Sequence, residues 1–264
     1  MVRGTEHRRR LKVGAALSDG LGAVPRLWAG AWGVLLFAVM LALIAPWVPH
    51  GFGSVVYGLG SGLAMLAAWG ALCRLAATPD RAAAERAGLR AGGFQLGKLE
   101  ARIVFAAFLN LLFLSMILVV LALVVLAIFG MATALDLEAL RARNWAAAGP
   151  AWQLAMIAAV AAIAVTVPIL LAVRLALFSQ ATAGRGYTVS LNTMGIATGS
   201  FWPLLAVITV AILPMALLMA AVVSGVPYAG HPAVVAAVLA WVQAPVAAGV
   251  LGAAYRQLEY WAPA

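Results

Sequence analysis

Charged side chains are scarce in this sequence. They account for 9% of its 264 residues, whereas hydrophobic residues account for 66%. A soluble domain has about 25% charged residues, because its surface needs polar side chains as cover. A chain with so few cannot keep its apolar surface away from water by folding alone. The deficit excludes a soluble globular protein and predicts one whose solvent is the lipid bilayer.

Cysteine and acidic residues are the next deficits. Cys73 is the only cysteine, which excludes an intrachain disulfide and a thiolate metal cluster. All eight acidic residues lie outside the long apolar stretches, and no lysine or histidine lies near the middle of one. Carboxylate-driven pumps and intramembrane proteases need ionisable groups or metal ligands within the bilayer. We therefore predict a protein that is not an enzyme and that holds no cofactor or metal.

Six apolar stretches are long enough to cross a membrane as helices, which takes about 20 residues. They are residues 27–47, 52–73, 103–131, 151–173, 201–224 and 233–255. The sequence therefore predicts an all-α fold, a six-helix transmembrane bundle over residues 27–256. A basic N-terminal segment, 1–26, precedes the bundle, and a short tail, 257–264, follows it.

The basic residues predict the orientation of these helices. All but Arg141 and Arg143 of the 17 basic residues would lie on one side of the membrane. Lysine and arginine accumulate on the cytoplasmic side, so both termini are expected in the cytoplasm, with the helices in a bacterial inner membrane. The net charge of +9 could suggest nucleic acid as a partner. Because the charges cluster at the ends of apolar stretches, we exclude that partner.

The segments ahead of the outward helices suggest a repeat. Apolar residues recur at helical spacing from Val13 to Val24, and Leu89–Leu99 and Tyr187–Ile196 also mix apolar and polar residues. Amphipathic helices on the inner membrane surface would fit these segments, and an irregular glycine-rich loop fits the last of them equally. Each inward helix also ends with an arginine: Arg74, Arg174 and Arg256. The pattern indicates either three hairpins, each introduced by a surface segment, or a common way of ending an inward helix.

Two smaller patterns concern local structure. Thr133 and Asp136 have the spacing of a capping box, which predicts a short helix in the middle outer connection. That helix could lie on the outer surface, with its apolar side chains toward lipid. Gly58, Gly60 and Gly62 resemble a phosphate loop, but they lie inside an apolar stretch. Close helix packing through small residues is the better prediction there.

The polar residues inside the stretches are candidates for a site. Asn110 and Gln243 are the most informative, because a side-chain amide in hydrocarbon must find a hydrogen-bond partner. They could line a polar path, or they could hold neighbouring helices together. Ser115 and Thr166 belong to the same candidate set.

Three prolines lie in the interiors of the last three stretches: Pro168, Pro214 and Pro245. Proline removes a backbone hydrogen bond and kinks a transmembrane helix. Such kinks are candidate hinges of a transporter, and they also shape bundles that transport nothing.

Two stretches carry a resemblance to a known family. One is Gly93-Phe94-Gln95-Leu96-Gly97 and then Glu100-Ala101-Arg102, and the other is Arg174-Leu175-Ala176 and then Gly199-Ser200-Phe201-Trp202. They resemble uncharacterised bacterial membrane proteins related to the membrane domain found beside glycerophosphodiester phosphodiesterases. The resemblance implies a helical membrane module without catalytic residues. The phosphodiesterase barrel is missing from this sequence, so neither its activity nor any site residue is carried over.

The leading hypothesis for function is a non-enzymatic integral membrane protein that acts as a structural or accessory module. Its expected partners are the lipid bilayer and either another protein or further copies of itself. The alternative is a transporter or permease for a small molecule or lipid, with a polar path near Asn110 and Gln243.

Overall fold

The computed structural model describes residues 10–131, 136–144, 147 and 149–259. Helices make up 80% of these residues, and no strand occurs among them. The long helices are α2 (Val24–Ile44), α3 (Phe52–Ala77), α5 (Lys98–Met131), α7 (Ala151–Leu175), α10 (Phe201–Val223) and α12 (Ala244–Leu258). The short helices are α1 (Val13–Gly22), α4 (Arg81–Arg86), α6 (Leu137–Arg141), α8 (Phe178–Arg185), α9 (Thr193–Ile196) and α11 (Pro232–Ala237).

Six helical segments of the described chain are long and apolar enough to cross a membrane. They are α2 with the 3₁₀ turn that follows it, α3, α5, α7, α10, and the run from Pro232 to Leu258. In that last run a π-helix, Val238–Gln243, joins α11 to α12. The prediction of an all-α fold with six spans is confirmed, and the chain is a multi-pass membrane protein. The helix ends differ from the predicted ones by at most five residues, at the start of α5.

The described chain divides into two compact units. One unit takes in the described residues up to Phe108 and those from Arg174 onward, and the other is Leu109–Val173. The first unit holds most of the short helices.

A buried core of small and aliphatic residues joins α2, α3 and α12 in the first unit. Leu27, Val34, Leu72 and Leu75 are fully buried there, and alanines such as Ala71 fill the space between the helix backbones. Large apolar side chains elsewhere on these helices are exposed and face the space that lipid would fill. Small residues inside and large apolar residues outside are the arrangement expected of helices packed in a bilayer.

The segment before the first span forms the predicted helix, but the helix does not stand apart. Helix α1 is separated from α2 by a single residue and packs against α12. A Cβ atom on Gly20 would lie 2.5 Å from the Cα atom of Val250, and one on Gly249 would collide with the carbonyl oxygen of Gly20. The two helices therefore approach backbone to backbone, which only glycine allows at these positions.

The other two segments ahead of outward helices are less helical than the pattern suggested. Between Leu89 and Leu99 the chain forms a single 3₁₀ turn, Ala91–Gly93, before α5 begins. Between Tyr187 and Ile196 it forms only the one turn of α9, and the longer helix there, α8, comes earlier. Three glycines explain the difference in the first of these segments, because glycine disfavours helix interiors. The second has only Gly195, but its Ser190, Asn192 and Thr193 are residues that favour turns. The three-hairpin repeat stays a prediction.

The remaining local predictions have mixed outcomes. The middle outer connection contains the short helix α6, and Asp136 caps it by accepting from the backbone N–H groups of Glu138 and Ala139. Thr133 and the apolar side chains predicted to face lipid lie outside the described residues. The prediction that Gly58, Gly60 and Gly62 pack closely against another helix of this chain is wrong. A Cβ atom added at any of the three would have no neighbouring atom within 4 Å.

Candidate functional site

Gln243 bonds across to α10 beside Pro214. Its Nε2 donates to the carbonyl oxygen of Ala211 at 2.7 Å, and its Oε1 accepts from the backbone N–H of Met215 at 3.0 Å. In a regular α-helix those two backbone groups are each other's partners. Pro214 lies between them in the helix and has no N–H to donate. The amide of Gln243 therefore bridges the turn around Pro214 and gives each of the two backbone groups a side-chain partner.

A second side-chain bond lies beside Pro245. Pro245 has no N–H to donate to the carbonyl of Trp241, which lies four residues before it. The indole Nε1 of Trp28 on α2 donates to that carbonyl oxygen at 2.7 Å. The π-helix ends at Gln243, so the two side-chain bonds lie at the junction of the π-helix with α12. Both bonds satisfy backbone groups that hydrocarbon could not.

The other predicted polar residues lie in the second unit and make fewer contacts. Ser115 is exposed, and its hydroxyl donates to its own helix, to the carbonyls of Leu111 and Leu112. Thr166 is exposed on α7. Asn110 is 7% exposed, and neither atom of its amide has a hydrogen-bond partner among the described residues.

The hinge role of the prolines stays a prediction. Pro168 and Pro214 lie inside α7 and α10, and Pro245 lies in the first turn of α12. Helix α12 follows the π-helix directly, and the carbonyl that Pro245 leaves without a donor, that of Trp241, accepts from the indole of Trp28.

A buried ion pair joins α3 to the start of α5. Arg74 is 4% exposed and Glu100 is 1% exposed, and their guanidinium and carboxylate groups form two hydrogen bonds. Arg74 Nε also donates to the carbonyl of Ala87 at 3.1 Å, and Glu100 Oε2 accepts from the N–H of Gly97 at 2.9 Å. Gly70 lies against the carboxylate, where a Cβ atom would occupy the same space. Each charge is thus paired and hydrogen-bonded, as buried ions require.

Two further arginines contact the end of α3. Arg26 donates to the carbonyl of Leu75 at 2.8 Å and also to that of Pro79, while Arg256 donates to the carbonyl of Ala76. The last carbonyls of a helix lack partners and carry the negative end of the helix dipole. The positive charges that indicate orientation in the sequence therefore also stabilise this helix end.

A cleft of about 380 Å³ opens beside the ion pair. Its wall is formed by the segment between α3 and α5, the first turns of α5, and α8 with the residue that follows it. The lining residues are Arg74, Ala87, Gly88, Arg90, Gln95, Leu96, Gly97, Lys98, Leu99, Arg102, Ala183 and Gly186. Among these described residues none is acidic, and four are basic.

Two more cavities are apolar. One of about 150 Å³ in the first unit lies between α2, α3 and the helices that follow Pro232, with Tyr57 and Ser61 in its wall. The other, of about 400 Å³ in the second unit, is a groove lined by Leu118, Leu121, Ala122, Val125, Leu126 and Ala164. Neither offers a charged group.

The ion pair and the cleft were not predicted from the sequence. In the sequence Arg74 ends an inward helix and Glu100 is one of the acids outside the apolar stretches, and nothing pairs two residues that lie 26 positions apart. One local signal was available. Gly97 and Glu100 have the spacing at which a glutamate in the first helical turn bonds the backbone N–H of the capping residue, and that bond forms. Comparison with family models, with curated proteins and with solved structures finds no match to this chain.

Replacing Gln243 with leucine should destabilise the protein by about 1–3 kcal/mol, because Ala211 and Met215 lose bonds that hydrocarbon cannot replace. The unfolding of the purified chain by SDS in mixed micelles, followed by tryptophan fluorescence, measures the change. Gln257→Leu is the matched control, since Gln257 accepts one bond from the exposed N–H of Lys12. An effect of Gln243→Leu no larger than that of the control would contradict the bridge.

Proposed function

We propose that the chain is a non-enzymatic structural or accessory module of a bacterial inner membrane, with both termini in the cytoplasm. The observation that carries the proposal is that the buried polar side chains of the first unit bond to neighbouring helices of the same chain. The amide of Gln243 and the indole of Trp28 bond backbone groups beside Pro214 and Pro245, and Arg74 and Glu100 neutralise each other. These groups are committed to holding helices together and are not free to conduct a solute.

Two further features support the same proposal. The basic residues at the inner ends of the spans bond helix carbonyls, which suits a rigid frame on the cytoplasmic side. The resemblance to the membrane domain found beside glycerophosphodiester phosphodiesterases points to a module that works with a partner. The partner would be another protein or a second copy of the chain.

A permease is the second candidate, and Asn110 is the observation that favours it. Its amide is buried in the second unit with no partner among the described residues. A buried amide without a partner is costly, and a polar solute would relieve that cost. Gln243, the other residue of the predicted polar path, gives this candidate little support. Its Nε2 and its Oε1 are both bonded to the backbone of α10.

Flux measurements on the reconstituted full chain separate the two candidates. The module should leave vesicles as tight as protein-free ones, both to glycerol by stopped-flow light scattering and to headgroup-labelled lipid by dithionite quenching. A permease should raise one of these rates, and Asn110→Leu should abolish the increase without loss of folded protein. Ser115→Ala is the control, since that hydroxyl bonds only its own helix. A flux that Asn110→Leu removes and Ser115→Ala spares would reject the module.

A further inference from the structure

The cleft beside the ion pair has an excess of positive charge. Arg74 lines the cleft, but Glu100 neutralises its charge, so it adds no positive charge to the cleft. Arg90 and Lys98 are exposed and form no ion pair among the described residues. Arg102 donates one N–H to the carbonyl of Gly186, and a guanidinium has further donors to offer. Three cationic side chains thus face one opening of the protein surface.

Gln95 supplies an independent observation. Its side chain lines the cleft and is 7% exposed, and its Oε1 accepts from the N–H of Arg90 at 3.3 Å. Its Nε2 has no hydrogen-bond partner among the described residues. A buried donor without a partner costs free energy, and an anion's oxygen is the acceptor that would satisfy it. The bond to Arg90 also ties the amide to one of the cations.

The backbone around the cleft also suits an anion. The first residues of α5, Lys98 and Leu99, line it, and the first N–H groups of a helix lack partners within the helix. The dipole of this 34-residue helix has its positive end there. Gly88 and Gly97 carry no side chain that would block a bulky group. These groups could bind a planar anion such as a carboxylate or a tetrahedral one such as a phosphate. Three cations and a neutral amide donor match a phosphate best.

We propose that this cleft binds a phosphate group. The position favours an anionic phospholipid as its source, because the cleft lies where α3 ends and α5 begins, at the end of the spans. Leu96, which is 55% exposed, lines the opening and could contact the acyl chains. Basic pockets between transmembrane helices are known to hold lipid headgroups at this depth. The proposal goes beyond the proposed function and stands whether the chain is a module or a permease.

The test titrates the full chain in neutral detergent with short-chain phosphatidylglycerol and, separately, with inorganic phosphate. Arg90→Gln with Lys98→Gln should weaken phosphatidylglycerol binding by about tenfold or more, because each removes a charge-assisted bond. Arg81→Gln with Arg86→Gln removes the same number of charges from α4, outside the cleft, and should change binding less than about twofold. Gln95→Met should also weaken binding, although it changes no charge.

The outcomes separate the two sources of phosphate. Phosphatidylglycerol that binds and is not displaced by millimolar phosphate assigns the site to a lipid, whereas equal binding of inorganic phosphate assigns it to a soluble phosphate compound. Equal loss in the cleft pair and in the α4 pair would show a general attraction to positive charge and would overturn the site. Failure of both probes to bind the wild-type chain would overturn it as well.

Discussion

Replacing Glu100 with glutamine is expected to lower the free energy of unfolding by about 3–5 kcal/mol, because it leaves the Arg74 guanidinium buried without its counter-charge. Arg74 lies in the last turn of α3 and is 4% exposed, so water reaches little of the freed charge. The glutamine keeps the shape of the carboxylate, but its NH2 group replaces one of the two oxygens that accept from Arg74 and Gly97. The loss therefore measures the missing charge together with the bonds that this oxygen accepted, and not a cavity. SDS-induced unfolding of the purified protein in mixed micelles measures the change.

Two controls locate the effect in the buried pair. Glu85→Gln breaks the exposed pair that Glu85 forms with Arg81 on α4 and should cost no more than about 0.5 kcal/mol. Arg74→Met combined with Glu100→Leu removes both charges, and the double variant should be more stable than either single one, since no charge is left buried alone. Equal effects of Glu100→Gln and Glu85→Gln would show that the pair contributes little.

The six spans could be predicted because their signals are local. Each span needs about 20 apolar residues in a row, and composition alone shows such a run. The break before α3 is local as well, since Pro46 lies in the 3₁₀ turn that follows α2. These features depend on residues that are neighbours in the chain.

The site could not be predicted, because it depends on which helices meet. The sequence places Arg74 at the end of one span and Glu100 before the next, and both positions are ordinary for charges that face water. Only the approach of α5 to α3, with Gly70 leaving room for the carboxylate, turns them into a buried pair. The amide of Gln243 was recognised as needing a partner, but its partner, the turn around Pro214, lies on another helix.

The glycines illustrate the same limit. The predicted contact at Gly58–Gly62 is missing, while Gly20, Gly249 and Gly252 pack closely against neighbouring backbones. A pattern of small residues marks a helix surface that permits close approach. It does not show whether another helix is present on that side.

Gly249→Ala should therefore destabilise the chain, although alanine favours a helix over glycine by about 1 kcal/mol. The new Cβ atom would collide with the carbonyl oxygen of Gly20, so α1 must move away from α12, and overpacking of this kind costs about 1–3 kcal/mol. Gly60→Ala, in the interior of α3, is the matched control. It meets open space and should leave stability unchanged or raise it. SDS-induced unfolding measures the stability of the two variants. Gly249→Ala is expected to be less stable than Gly60→Ala.

The same substitution has a local consequence at the N-terminus. The backbone N–H groups of Leu11 and Lys12 donate to the side chains of Ser200, which precedes α10, and of Gln257 on α12. The start of α1 is therefore held only while α1 stays against both helices. Release of α1 should raise the rate of trypsin cleavage after Lys12 by about tenfold, because cleavage follows the local opening of the chain. Mass spectrometry of the products gives the site and the rate. Unchanged cleavage after Lys12 in Gly249→Ala, together with unchanged stability, would show that α1 does not depend on this glycine contact.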